Sequence, residues 1–93
     1  MIRLGGAIVD QSQSPTEWIE AIRRFGYSAA VLPGKVKVGD ADVADYVKLA
    51  QEHDVCIAEV GAWSNPLNPD EEERNKALQH CIDKLALAEE VGA

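Results

Sequence analysis

The sequence predicts an α/β fold of parallel strands in the order β-α-β-α-β-α. Three observations carry that expectation. Short apolar runs alternate with longer segments whose apolar residues recur every three or four positions; the second and third runs begin about 28 residues apart; and the connections that leave helices are minimal, whereas those that leave strands are long and polar.

Residues 2 to 9, IRLGGAIV, are too short for a helix and rich enough in Ile, Leu and Val for a buried strand. Ser14-Pro15-Thr16-Glu17 then reads as a helix start. Ser14 is the N-cap, Pro15 occupies the first turn where its missing N–H costs nothing, and Glu17 closes a capping box. Trp18, Ile19, Ile22 and Phe25 share one face, and Gly26 supplies the left-handed residue that ends the helix. Tyr27 to Leu32 is the second strand, stopped by Pro33-Gly34. Asp40 is placed to cap a second helix with an apolar stripe of Val43, Tyr46, Val47 and Ala50, ending near His53-Asp54. Val55 to Val60 is the third strand. Asn68-Pro69-Asp70-Glu71 repeats the start signal, with acids from Asp70 to Glu73 where the helix dipole favours them. Leu78, Cys81, Ile82, Leu85, Ala88 and Val91 then mark the expected buried face, up to Gly92.

The long polar connections are Asp10 to Gln13, Pro33 to Gly39 and Gly61 to Asn68. In parallel α/β folds ligands bind at the carboxyl ends of the strands, the side these loops occupy. Three strands cannot close a barrel, and the first and third would be open edges. Helices with strong apolar stripes and strands apolar on both faces fit the N-terminal piece of something larger better than a complete small sheet.

A net charge of −7 and a pI near 4.6 oppose nonspecific binding to nucleic acid or to anionic membranes. No run reaches the ~20 apolar residues of a membrane span, and the start does not read as a signal peptide, so a cytoplasmic location is expected. Cys56 and Cys81 lack CxxC spacing and are expected to be reduced, partly buried thiols. Gly5-Gly6 and Gly34 form no phosphate-cradling motif, and Asp40, Asp42 and Asp45 lack the spacing of a Ca²⁺ loop. His80 and Cys81, adjacent on a helix, point in different directions, so no metal site follows from them.

The runs AIRRFGYSAAVLP, IAEVGAWSNPLNPDEEER and KALQHCIDKLALAEEVGA resemble the first three βα units of the sugar phosphate isomerase/epimerase family, the TIM barrels related to xylose isomerase. The resemblance covers the whole chain, residues 1–93, as a single N-terminal, incomplete segment of a (β/α)8 barrel, which takes ~250 residues. It implies a metal-dependent sugar or sugar-phosphate isomerase or epimerase that moves a proton or hydride next to a carbonyl. It also implies a divalent metal (Mn, Mg, Co or Zn) in the full barrel. The ligands of that metal would lie beyond Ala93, so this segment would bind no metal, hold no catalytic residue and be inactive alone.

What carries over is the front of the substrate pocket. Trp63 matches the aromatic after the third strand, with Glu59 and Asn65 beside it. An indole offers a flat apolar platform with one N–H donor, or else it packs in the core. A carboxylate on a buried strand faces a polar cavity or an ion-pair partner such as Arg3, since an isolated buried charge is costly. Asn65 before Pro66 either joins the pocket or shapes the loop. Asp10 at the first strand end is read as solvated.

Two other function classes stay open. One is a small flavodoxin-like or receiver-type α/β module that binds a partner, although a third strand ending in Gly-Ala-Trp lacks a receiver's phosphoacceptor Asp. The other is a non-catalytic fragment that self-associates through its open sheet edges.

Overall fold

A computed structural model of the protein describes residues 2–9 and 14–93. The polar loop read at Asp10 to Gln13, with Asp10 itself, lies outside the described residues. The element order is the expected one: β1 (Gly5–Gly6), α1 (Pro15–Arg24), β2 (Ala29–Val31), α2 (Val43–Glu52), β3 (Cys56–Glu59) and α3 (Glu71–Val91). The strands are shorter than the apolar runs suggest. Their pairing nonetheless extends past the strand bounds, through Ser28 N–H to Leu4 O (2.9 Å) and Leu32 N–H to Glu59 O (2.9 Å).

All pairing is parallel, and the sheet order is β1-β2-β3. Gly5 lies opposite Ala29, and a Cβ there would collide with the Ala29 carbonyl, so glycine permits the close approach of the first two strands. Between β2 and β3 the register shifts after Ala30, so that Val31 faces Glu59. Such a bulge re-aims the side chains at a strand end.

The helices α1 and α2 pack on each other, as do α2 and α3, and α2 also packs on β3. Under them Ile8, Ala30, Leu32 and Ile57 are buried, whereas Gly5, Ala7, Cys56 and Ala58 are exposed. The strands therefore bury one face, not both. The alternates on the open face are small, which is why the runs look uniformly apolar in sequence. The core centres on Trp18, Ile22, Tyr46 and Leu87, with the Trp18 and Tyr46 rings edge-to-face at 5.1 Å.

The first helix starts as expected. Ser14 Oγ accepts from the Glu17 N–H at 3.2 Å, and Glu17 Oε1 accepts from the Ser14 N–H at 3.4 Å. Gly26 has φ 74°. Phe25 departs from the expectation: it lies past the last turn, exposed, stacked on Tyr27 at 5.6 Å. Asp40 does not cap the second helix. Its Oδ2 accepts from the Lys37 N–H at 2.8 Å in the preceding turn, and Asp42 stands at the N-cap without a side-chain bond. In α3, Asp70 Oδ2 caps the Glu73 N–H at 3.0 Å, and Glu71, Glu72 and Glu73 fill the first turn.

The buried face of α3 differs most from the expectation. Ala77, Lys84, Leu87 and Val91 are buried, whereas Leu78, Ile82 and Leu85 are exposed. The helix turns one flank to α2 and the 34–36 loop, and its other flank, with Leu78, Ile82 and Leu85, is exposed.

Arg3 ties together the amino ends of the strands. Its guanidinium donates to Ser28 O (3.2 Å), Asp54 O (2.7 Å) and Asp54 Oδ1 (3.1 Å), while Asp54 itself adopts a left-handed conformation at φ 53°. That fastening is structural. It leaves the carboxyl ends as the face where loops can form a site.

Candidate functional site

At the carboxyl ends of the strands a cleft of about 290 Å³ opens between the Leu32–Gly34 turn after β2 and the residues after β3. Two of the three expected residues, Glu59 and Trp63, line it together. Strand register explains Glu59. The bulge sets it opposite Val31 on the uncovered side, where its carboxylate is exposed to water. Of the two surroundings left open for Glu59, the ion pair with Arg3 is not formed, because Arg3 donates at the opposite end of the sheet to Ser28 and Asp54. Nor is Glu59 a buried charge in need of a counter-ion.

Trp63 is 83% exposed and stands outside the core that the described residues form. Its position depends on Gly61: a Cβ there would lie 2.5 Å from Trp63 Nε1 and 3.0 Å from Cε2. The indole thus lies over the bare backbone of Gly61 with most of its surface presented to solvent. Covering about 100 Å² of that surface with the apolar face of a ligand contributes about 2.5 kcal/mol at ~25 cal/mol per Å². Even a millimolar complex requires about 4 kcal/mol. Polar contacts must supply the remainder, and Glu59, an acceptor for hydroxyl protons, stands in the same cleft.

Asn65 stands apart from Glu59. It lines a second hollow of about 340 Å³ on the far side of Trp63, together with Ser64, Asn68 and His80. Its Oδ1 accepts from the Leu67 N–H at 3.1 Å, an Asx-turn that shapes the loop. Asn68 repeats the device toward the Asp70 N–H at 2.9 Å. Ser64 Oγ donates to Ala77 O at 3.3 Å and lies 3.7 Å from Cys81 Sγ, so the loop after β3 is fastened to the side of α3. Both cysteines are free; Cys56 is exposed and Cys81 half-buried.

Among the described residues no three His, Cys, Asp or Glu side chains converge in a way that could hold a metal ion. The family resemblance does not assign the ligands of its divalent cation to these residues, and no chemical step is derived through one.

Sequence reasoning missed Lys84. It is only 7% exposed, and its Nζ donates to Val36 O at 2.8 Å and Gly34 O at 3.1 Å, which fastens the loop after β2 to α3. Burial lowers its pKa from 10.5; nearby Asp40 opposes that shift and Lys37 adds to it. A signal existed. Lys84 is seven residues from both Ala77 and Val91 and so shares their buried face.

The chain matches no family model, no curated protein and no solved structure. No helix among the described residues is long and apolar enough to cross a membrane.

Proposed function

We propose that these residues form the first three βα units of a (β/α)8 barrel of the sugar phosphate isomerase/epimerase type, with the Trp63–Glu59 cleft as the front of its sugar pocket. The observation that carries this reading is the strand order. Parallel strands in the order β1-β2-β3, with consecutive helices packed on one another, advance steadily in one direction, as a barrel wall does. A flavodoxin-like module places its first strand between the second and the third, with helices on both faces. Here β1 is an edge strand and one face is bare.

In this reading Trp63 stacks on the apolar face of a sugar, Glu59 accepts hydroxyl hydrogen bonds, and Asn65 holds the loop that carries the indole. The divalent metal and the proton- or hydride-transfer chemistry would come from parts of a barrel outside this segment. The test is a fluorescence titration of the chain with aldoses, ketoses and their phosphates. Trp63 emission should respond saturably and Glu59→Gln should weaken that response, while Trp63→Ala should weaken sugar binding read by titration calorimetry, with far-ultraviolet dichroism unchanged in both variants. A full-length barrel that turns over no sugar in the presence of Mn, Mg, Co or Zn would sink the reading.

A second reading, a non-catalytic assembly of copies, is favoured by the exposed stripe of Leu78, Ile82 and Leu85 on α3 and by the edge position of β3 in the sheet. Light scattering decides it. A monomer over the working concentration range, unchanged by Leu85→Lys, ends this reading.

A further inference from the structure

We infer that the hollow between the 34–38 loop and α3 is a binding site for a phosphate-type oxyanion, held by Lys84, Lys37 and His80. The inference does not depend on the barrel reading, because one loop and one helix make the whole site. The hollow has a volume of about 360 Å³ and is lined by Gly34, Lys37, Val38, His80, Asp83 and Lys84. That is room for an anion with several waters, each ~30 Å³.

Lys84 carries the argument. An ammonium has three N–H donors. Two are spent on Val36 O and Gly34 O, and the third has no acceptor among the described residues although the side chain is buried. A buried charged donor left open is costly unless an acceptor arrives, and an anion supplies both the acceptor and the countercharge.

The neighbouring charges favour an anion over a cation. The three carboxylates around the loop already have donors of their own: Asp83 Oδ1 accepts from Gln79 Nε2 at 2.8 Å, Asp40 Oδ2 from the Lys37 N–H at 2.8 Å, and Glu90 Oε2 from the Gly39 N–H at 3.3 Å. Three of the five lysines in a chain of net charge −7 (Lys35, Lys37 and Lys84) belong to this loop and the helix that faces it. Ammonium groups act as point charges without the planar fork that selects carboxylates, which suits a tetrahedral phosphate. Gly34 also lines the Trp63–Glu59 cleft, so an anion fixed here stiffens a wall of that cleft.

The test is an NMR titration of the chain with sodium phosphate at constant ionic strength, following the Lys37 and Val38 amides and the His80 ring. Saturable shifts centred on these residues are expected, and the Lys37→Gln/His80→Gln double variant should weaken the affinity about tenfold, or 1.4 kcal/mol. Both substitutions lie outside the core, so the fold is retained. Phosphate should also raise the melting temperature of the parent chain and leave that of Lys84→Met unchanged. Equal responses to acetate, the same midpoint at Lys48 and Lys76, or an undiminished affinity in the double variant would overturn the assignment.

Discussion

The covered and bare faces of the sheet come from the same three strands, yet they differ in what side-chain size is for. On the covered face size fills space: Trp18, Ile22 and Tyr46 meet Ala30, Leu32 and Ile57 and exclude water. On the bare face Gly5, Ala7, Cys56 and Ala58 are small, and the large residue, Trp63, stands at the rim with its ring exposed. Two tryptophans in one short chain thus do opposite work. If the proposed pocket is right, burial separates stability from binding, and substitutions can test the separation pair by pair.

The largest contrast is between the tryptophans themselves. Trp18→Ala opens the core and should cost about 3–5 kcal/mol, enough to unfold a small domain. Trp63→Ala should change stability by less than about 0.5 kcal/mol and weaken sugar binding read by titration calorimetry. Urea denaturation of both variants, with the binding titration of the second, checks this. A large loss of stability in Trp63→Ala with normal binding by the folded remainder would break the comparison.

The next pair sits two residues apart on α3. Leu87, fully buried, should cost about 2–5 kcal/mol when cut to Ala. Leu85, 72% exposed, should cost less than about 0.5 kcal/mol. An equal cost for both would mean that a partner covers the Leu85 flank in solution, a result that concentration-dependent unfolding would confirm.

A smaller effect appears at high pH. Burial, with a contribution from Asp42, raises the Tyr46 pKa above 10.0, so the fold favours the neutral phenol. Its contribution to stability is intact below pH 10 and falls as the pH climbs toward the raised value, by at most about 1.4 kcal/mol per pH unit. Tyr46→Phe should lack that slope when unfolding is followed across the alkaline range.

A small effect on stability also belongs to Gly61→Ala, which should move the global unfolding free energy by less than about 0.5 kcal/mol. The added methyl nonetheless displaces the Trp63 indole, so its emission maximum and acrylamide quenching should change. An unaltered Trp63 signal would show that the ring does not rest on Gly61.

Local signals were legible in the sequence wherever the physics is local. The capping box at Ser14 and Glu17 and the helix ends at Gly26 and Gly92 depend on neighbours a few residues away, and each stands where expected; α3 starts two residues later than the Asn68-Pro69 signal suggests, with Asp70 as its cap and Asn68 held in a turn to the Asp70 N–H. The placement of Glu59 and Trp63 at one cleft followed from strand order alone. What stayed illegible depends on distant partners. Leu78, Ile82 and Leu85 have the spacing of a buried stripe, but which flank of a helix is covered depends on what lies beside it, and α2 chose the flank of Lys84. The Arg3–Asp54 fastening joins residues 51 positions apart, and no pattern in either neighbourhood announces it.

The steady advance of β1, β2 and β3 also has a consequence in time. The main packing partners are neighbours along the chain: β1 with β2, β2 with β3, α1 with α2, α2 with α3. Each new unit, as it leaves a ribosome, finds its template already built and needs nothing still unsynthesised on its amino-terminal side. Growth therefore proceeds at one end, like a wall laid course by course, and at each stage the newest strand and the free flank of the newest helix are the parts that the next arrival must find.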